Sequence, residues 1–256
     1  MLLGSGAQSV VYRFGHVAEK KFRPSAFGVC TSTDALAEFE FAHKHLVHPN
    51  VIRLLALDVS GGRLLMEFVA GCSLDIVLQS KGALEEETVL VKTQDIISGL
   101  CCLHKNGIIH RDVKPANVIM NSITGVCKVT DWIGLSAENT SLGFGKPVGT
   151  PVFMAPEVAG MPHRHCMSSD TWSLGCTIVN MMSGRLPWAD TDCHGRTNEF
   201  MVMWRVANGE APPYDLYSPR IASLLMLCFE PDKNKRLLLQ DIRSRIFDDH
   251  YNARHI

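Results

Sequence analysis

Asp112, Lys114 and Asn117 stand close together in the stretch HRDVKPAN. A carboxylate can orient a hydroxyl nucleophile, an ammonium can neutralise a moving phosphate, and an amide oxygen can ligate a metal. Together these are the working parts of phosphoryl transfer. Asp131 follows at the end of the apolar run VCKVT. It adds a second oxygen ligand beside Asn117, as Mg2+ bridging phosphate oxygens requires. The residue types alone therefore point to movement of a phosphoryl group between oxygens.

The phosphates of a donor must also be held. Near the N-terminus, GSGAQSVVY places Gly4, Ser5 and Gly6 between two strands, where backbone N–H groups can approach phosphates without a Cβ in the way. A bare hairpin turn would use the same glycines. The following VAEK is more telling, because strand alternation puts Ala18 and Lys20 on one face and Lys21 on the other. A cleft lysine needs a carboxylate to hold it, and the next helix offers Glu38 or Glu40. Helical spacing groups Phe41, Ala42 and His45 with Glu38, and His43, Lys44 and Val47 with Glu40. The more apolar face is expected to turn inward, which selects Glu38.

These groups need a scaffold. Val10–Tyr12 and His16–Ala18 read as strands around a tight turn at Phe14-Gly15. A helix is expected from about Thr33, capped by Thr33 or Ser32. HPNVIRLLALDVSGGRLLMEFV reads as two strands joined by Gly61-Gly62. From Glu85 onward helices dominate: EEETVLVKTQDIISGLCCLHKNG has helical apolar spacing and stops at Gly107, and DTWSLGCTIVNMMSG is apolar enough to be buried. The expected fold class is α+β: a small β-rich N-lobe with one main helix, then a larger, mostly helical C-lobe, with the boundary near Val69–Gly71.

Composition narrows the partners. The chain has 256 residues, 46% of them hydrophobic, and a net charge of −1, enough for two lobes around one cleft. No long Lys/Arg run points to nucleic acid or a membrane surface. Glu85-Glu86-Glu87 reads as a solvated helix start. No apolar run reaches the roughly 18 residues of a membrane span, and MLLGSGAQ lacks the features of a signal peptide. The nine cysteines are scattered without zinc spacing, and the HKH and HRH triplets lack a carboxylate or cysteine framework. A soluble, reduced, intracellular protein is the expectation.

In order along the chain, GSGAQSVV, VAEK, HPNVIRL, MEFVAGCSL, HRDVKPAN, TDWIGLS, VGTPVFMAPEV, DTWSLG and Arg236 in NKRLLL resemble the motifs of eukaryotic-type protein kinases. Lys114 resembles the Ser/Thr-directed branch, and VGTPVFMAPEV with GCSL resembles kinases of the MAP-kinase cascade, especially the kinase-kinase-kinase type. The resemblance implies a single kinase domain over 1–256, with an N-lobe at 1–69 and a C-lobe at 70–256. It implies ATP and Mg2+ as cofactors and a protein substrate with a Ser or Thr acceptor; it leaves the oligomeric state open.

The same resemblance assigns roles. Lys20 would bind the α/β-phosphates and pair with Glu38. Val11 and Ala18 would cover the adenine, Met66 would sit behind it, and Glu67 and Val69 would offer it backbone hydrogen bonds. Asp112 would orient the hydroxyl, Lys114 would contact the γ-phosphate, and Asn117 and Asp131 would ligate the metal. Thr150 would brace Asp112, Glu157 would pair with Arg236, and Asp170 would anchor the catalytic loop.

Four features depart from the pattern. Only residues 1–3 precede the glycine segment, Ser9 replaces its third glycine, and the link from Val11 to Lys20 is short. In DWIG an isoleucine follows Trp132; an inserted Ile133 keeps GLS in register and leaves Gly134 to make the turn, whereas replacement of the glycine would not. Trp132 is expected to fill the apolar slot of the usual Phe. Lys146 stands where cascade kinases often carry a phosphorylatable Thr, leaving Thr140 and Ser141 as alternatives. A pseudokinase scaffold and a small-molecule phosphotransferase are the competing readings. Retention of Lys20, Asp112, Asn117 and Asp131 argues against the first, and GTPVFMAPE against the second.

Overall fold

A computed structural model describes residues 1–6, 9–23, 33–132, 149–189 and 198–248, excepting the side chains of 33–35 and 38. Strands β1 (Leu2–Ser5), β2 (Ser9–Phe14), β3 (Val17–Phe22), β4 (Leu54–Asp58) and β5 (Arg63–Glu67) form an antiparallel sheet in the order β1-β2-β3-β5-β4. The short link expected between Val11 and Lys20 is a tight hairpin in which these two residues pair directly. Its turn needs a left-handed residue, and Gly15 supplies it at φ 59°.

One expectation is corrected here. Gly4 and Ser5 belong to β1, paired with Val11 and Val10, and do not lie in a free loop. The register shifts between Leu2 and Gly4, so a strand this short still reaches the edge of the cleft.

Helix α1 (Thr33–His45) packs against β4. Its buried positions include Ala42, with Leu46 just beyond its end and Phe39 packed against the core, whereas Phe41 is 40% exposed and His45 is exposed. Of the positions grouped with Glu38, Ala42 is buried while Phe41 and His45 are exposed; those grouped with Glu40, His43, Lys44 and Val47, are all exposed. Phe41 lies beside His45 at the surface, with the rings tilted and their centroids 5.0 Å apart.

The second part begins with β6 (Gly71–Ser73), which joins β7 (Val118–Asn121) and β8 (Cys127–Val129) in a small antiparallel sheet. Around it lie helices α2 (Leu74–Lys81), α3 (Glu86–Lys105), α4 (Pro156–Ala159), α5 (Met167–Ser183), α6 (Glu199–Ala207), α7 (Pro219–Cys228) and α8 (Leu239–Arg243), with short 3-10 turns at Pro115–Asn117 and Pro151–Phe153 and a π-helical turn at Ser244–Asp248. Helix α5 is the centre of this lobe: Trp172, Leu174, Cys176, Ile178 and Met181 have no exposed surface, so its apolar run is buried as its composition predicts. No helix among the described residues is long and apolar enough to cross a membrane. Cys72, Cys102, Cys127, Cys166, Cys176 and Cys228 are free thiols, and among the described residues no cluster of three or more His, Cys, Asp and Glu is placed to hold a metal ion.

Candidate active site

Between the two sheets lies a cleft of about 390 Å³. Gly4, Ser5, Gly6, Val11, Ala18 and Lys20 line it from above. Met66, Glu67 and Val69 line it along the connection between lobes, and Asn117 and Asp131 line it from below. All eleven residues expected around a nucleotide thus face one cavity. Cys72, Ser73, Asp75, Ile76, Ile119 and Thr130 line it too. Sequence reading missed these six; GCSL and the Asp that follows were the available signal.

Two backbone details refine the connection. The Glu67 N–H already donates to the Arg53 carbonyl (2.9 Å), so that residue can offer a base only its carbonyl. Phe68 N–H donates to His16 O (3.0 Å), which ties the connection to the β2–β3 hairpin.

Lys20, on β3, donates to Asp131 across the cleft. Its expected partner Glu38 lies outside the described side chains, and Glu40 is exposed. Burial would raise the Asp131 carboxyl, but the Lys20 ammonium, with its hydrogen bond and the nearby His110 and Lys114, holds it below the usual carboxylate range. Asp131 adopts φ 68°, a conformation that is strained for a residue with a Cβ and characteristic of functional sites. Trp132 is buried at 2% exposure, filling the slot expected for an aromatic, and its indole N–H has no partner among the described residues. Ile133, Gly134, Thr140, Ser141 and Lys146 lie outside the described residues.

Beside the cleft, Asp112 is held on every side. Oδ1 accepts from the N–H and hydroxyl of Thr150 (both 3.0 Å). Oδ2 accepts from the Asn117 amide (3.0 Å) and pairs with Lys114 Nζ at 2.7 Å. Lys114 also donates to Thr150 Oγ1 at 2.6 Å. The Asn117 amide nitrogen further donates to the Asp112 carbonyl (2.8 Å), so its oxygen is the atom left to face the cleft.

The loop carrying Asp112 is fixed from below. Asp170, on α5 and fully buried, accepts from the N–H groups of His110 (2.8 Å) and Arg111 (2.9 Å) and lies 2.7 Å from His104 Nε2. Burial opposes its ionisation, but the hydrogen bond and charge of His104, aided by His110, keep its carboxyl below the ordinary range. Arg111 is held at φ 68° by these bonds. Further away, Glu157 and Arg236 form a two-pronged ion pair at 2.8 and 3.0 Å, and Ser169 Oγ adds a third donor at 2.7 Å. This pair does not line the cleft.

The chain matches the protein kinase domain model over residues 1–247. It is 33% identical to mitogen-activated protein kinase kinase kinase 3 of Arabidopsis thaliana over 80% of this chain and 31% of that protein. It is 35% identical to mitogen-activated protein kinase kinase kinase 5 of Homo sapiens over 78% of this chain and 15% of that protein. A probable serine/threonine-protein kinase of Dictyostelium discoideum is 30% identical over 94% of this chain and 38% of that protein. The chain therefore spans well under half the length of these relatives. A sheet and a helical lobe closing on one cleft, and a family match that covers nearly every residue, lead to one assignment: this chain belongs to the protein kinase domain family.

Proposed function

We propose that the chain is an active, Mg2+-dependent serine/threonine protein kinase that transfers the ATP γ-phosphate to a protein hydroxyl. The observation that carries this reading is the Asp112 carboxylate, held by Thr150, Asn117 and Lys114 beside a cleft that ends on Lys20 and Asp131. A scaffold that only binds partners has no need of this arrangement, which favours catalysis over a pseudokinase. The similarity to kinase kinase kinases and to a probable serine/threonine kinase supports Ser/Thr acceptors within a signalling cascade.

Residues 1–69 and 70–256 act as the two lobes of one intracellular kinase domain. Val11, Ala18 and Met66 enclose the base, and the Glu67 carbonyl and Val69 backbone hydrogen-bond it. Gly4, Ser5 and Gly6 lie over the phosphates, and Lys20 binds them once its hold on Asp131 is shared. The substrate hydroxyl is oriented by Asp112, while Lys114 neutralises charge on the transferring group. The donor set fits Mg2+: one carboxylate and one amide oxygen, both hard, line the same cleft. Asn117 and Asp131 would hold the ion, which supplies charge neutralisation at the phosphates when bound.

Radiolabelled ATP with a degenerate Ser/Thr peptide library tests the reading. Wild type is expected to label peptides, and Asp112→Asn to lose roughly 10²–10⁴-fold in kcat while still binding ATP. Asp131→Ala is expected to lose Mg2+-dependent ATP binding. Equal labelling by wild type and Asp112→Asn would sink the active-kinase reading.

A further inference from the structure

Glu67 has a second job that its backbone does not explain. It is the last residue of β5, and its carboxylate Oε1 accepts from the Arg53 N–H at 2.8 Å and from Lys128 Nζ at 2.8 Å. Together with the Glu67 N–H bond to Arg53 O, this clamps residue 67 to residue 53 from both sides. Lys128 lies in the middle of β8, between buried Cys127 and Val129, and that strand leads directly into Asp131. Both side chains are partly shielded, at 20% and 30% exposure, where a charge pair is screened less than at an open surface.

The segment next to Arg53 is stitched to the same strand. The N–H of Val129 donates to Asn50 O, that of Ile52 donates to Val129 O, and the Asn50 amide donates to Cys127 O, each at 2.9 Å. Helix α3 closes on this segment so tightly that a Cβ at Gly99 would lie 2.4 Å from the Asn50 carbonyl oxygen. Residues 50–53 are thus part of the lower lobe's framework, and Lys128 connects that framework to the base-facing end of β5.

The geometry points to Lys128 as a positioning residue for the nucleotide. Through Glu67 it sets the distance between the edge that receives the base and the Asp131 end that receives the phosphates. The lysine itself does not line the cleft. The inference rests on the nucleotide reading of the cleft given above, and it is tested so that the two can fail separately.

Three forms of the chain decide it: wild type, Lys128→Met and Lys128→Arg. Calorimetric titration with Mg-ATP is expected to give about three- to five-fold weaker binding for Lys128→Met, with KM for ATP rising and kcat nearly unchanged. Lys128→Arg is expected to restore most of the affinity. Hydrogen exchange without nucleotide should show the Arg53 amide, whose acceptor is the Glu67 carboxylate, exchanging faster in Lys128→Met while the amides of α5 stay as protected as in wild type. Unchanged ATP binding with unchanged Arg53 exchange overturns the inference. So does faster exchange throughout the lower lobe, which would mark Lys128 as a general stability residue. A raised kcat at constant KM also overturns it, because the pair would then restrain lobe movement instead of placing the base. Failure of wild type to bind Mg-ATP would refute the nucleotide reading and this inference with it, whereas failure confined to the Lys128 comparison refutes this inference alone.

Discussion

The two sides of the cleft are built differently. Above it, β1 is exposed at all four residues, and Lys20 donates to the Asp131 carboxylate of the opposite side. Below it, α5 buries fourteen of seventeen residues, and Asp112 is gripped by four donors from three residues. The carboxylates show the same contrast. At the β4–β5 turn, the Gly61 N–H, Ser60 and Arg63 pull Asp58 down to about 2, yet it stands at the surface, where such bonds add little to stability. Asp170 and Glu157 are lowered inside the protein, where loss of a partner leaves a charge stranded. On the proposed function, the hydroxyl and phosphate would meet on the more tightly bonded of the two sides.

That contrast can be broken by substitution. The largest expected effect is at the buried pair: Arg236→Met should cost about 3–5 kcal/mol in urea unfolding, because it strands Glu157. A cost under about 1 kcal/mol would show that the lower lobe is no more tightly determined than the upper. A smaller loss, yet a clear one, is expected at Gly99→Ala, where the new Cβ would press on backbone that cannot move aside. Its counterpart above the cleft, Gly4→Ala, finds nothing within 4 Å and should change stability by less than about 0.5 kcal/mol. Equal costs for the two alanines would remove the distinction.

Acid sharpens the comparison further. Because the folded pKa values of Asp170 and Glu157 are lowered, the unfolded chain binds more protons between the folded and unfolded values. Their contribution is fully present above the unfolded carboxylate range and is lost as pH falls through the folded values. Urea midpoints are therefore expected to hold these carboxylates' share from pH 7 to about 5 and to lose it below about 4. Arg236→Met should show the shallower acid decline.

Much of the site was legible because its chemistry demands particular residue types at short spacing. HRDVKPAN could hardly be read otherwise, and strand alternation alone placed Ala18 and Lys20 in the cleft. What sequence missed depends on distant contacts. On the α1 face grouped with Glu38, Phe41 is apolar yet lies at the surface beside His45, while the smaller Ala42 is buried. Nothing local foretells that Lys128 meets Glu67, that Lys20 meets Asp131, or that Arg111 and Asp131 are both held left-handed. Each depends on where an element far along the chain comes to rest.

The Lys20–Asp131 contact has a consequence when seen as a charge distribution. The two groups serve as each other's counter-ion, so this part of the cleft presents a dipole and not a net charge, in a chain whose total is only −1. A dipole's field fades faster with distance than that of a lone cation, so a polyanion gains little from it until it is already within the walls. On the proposed function, recognition there would be a short-range exchange of partners, in which entering phosphates would take over the lysine and a cation the aspartate.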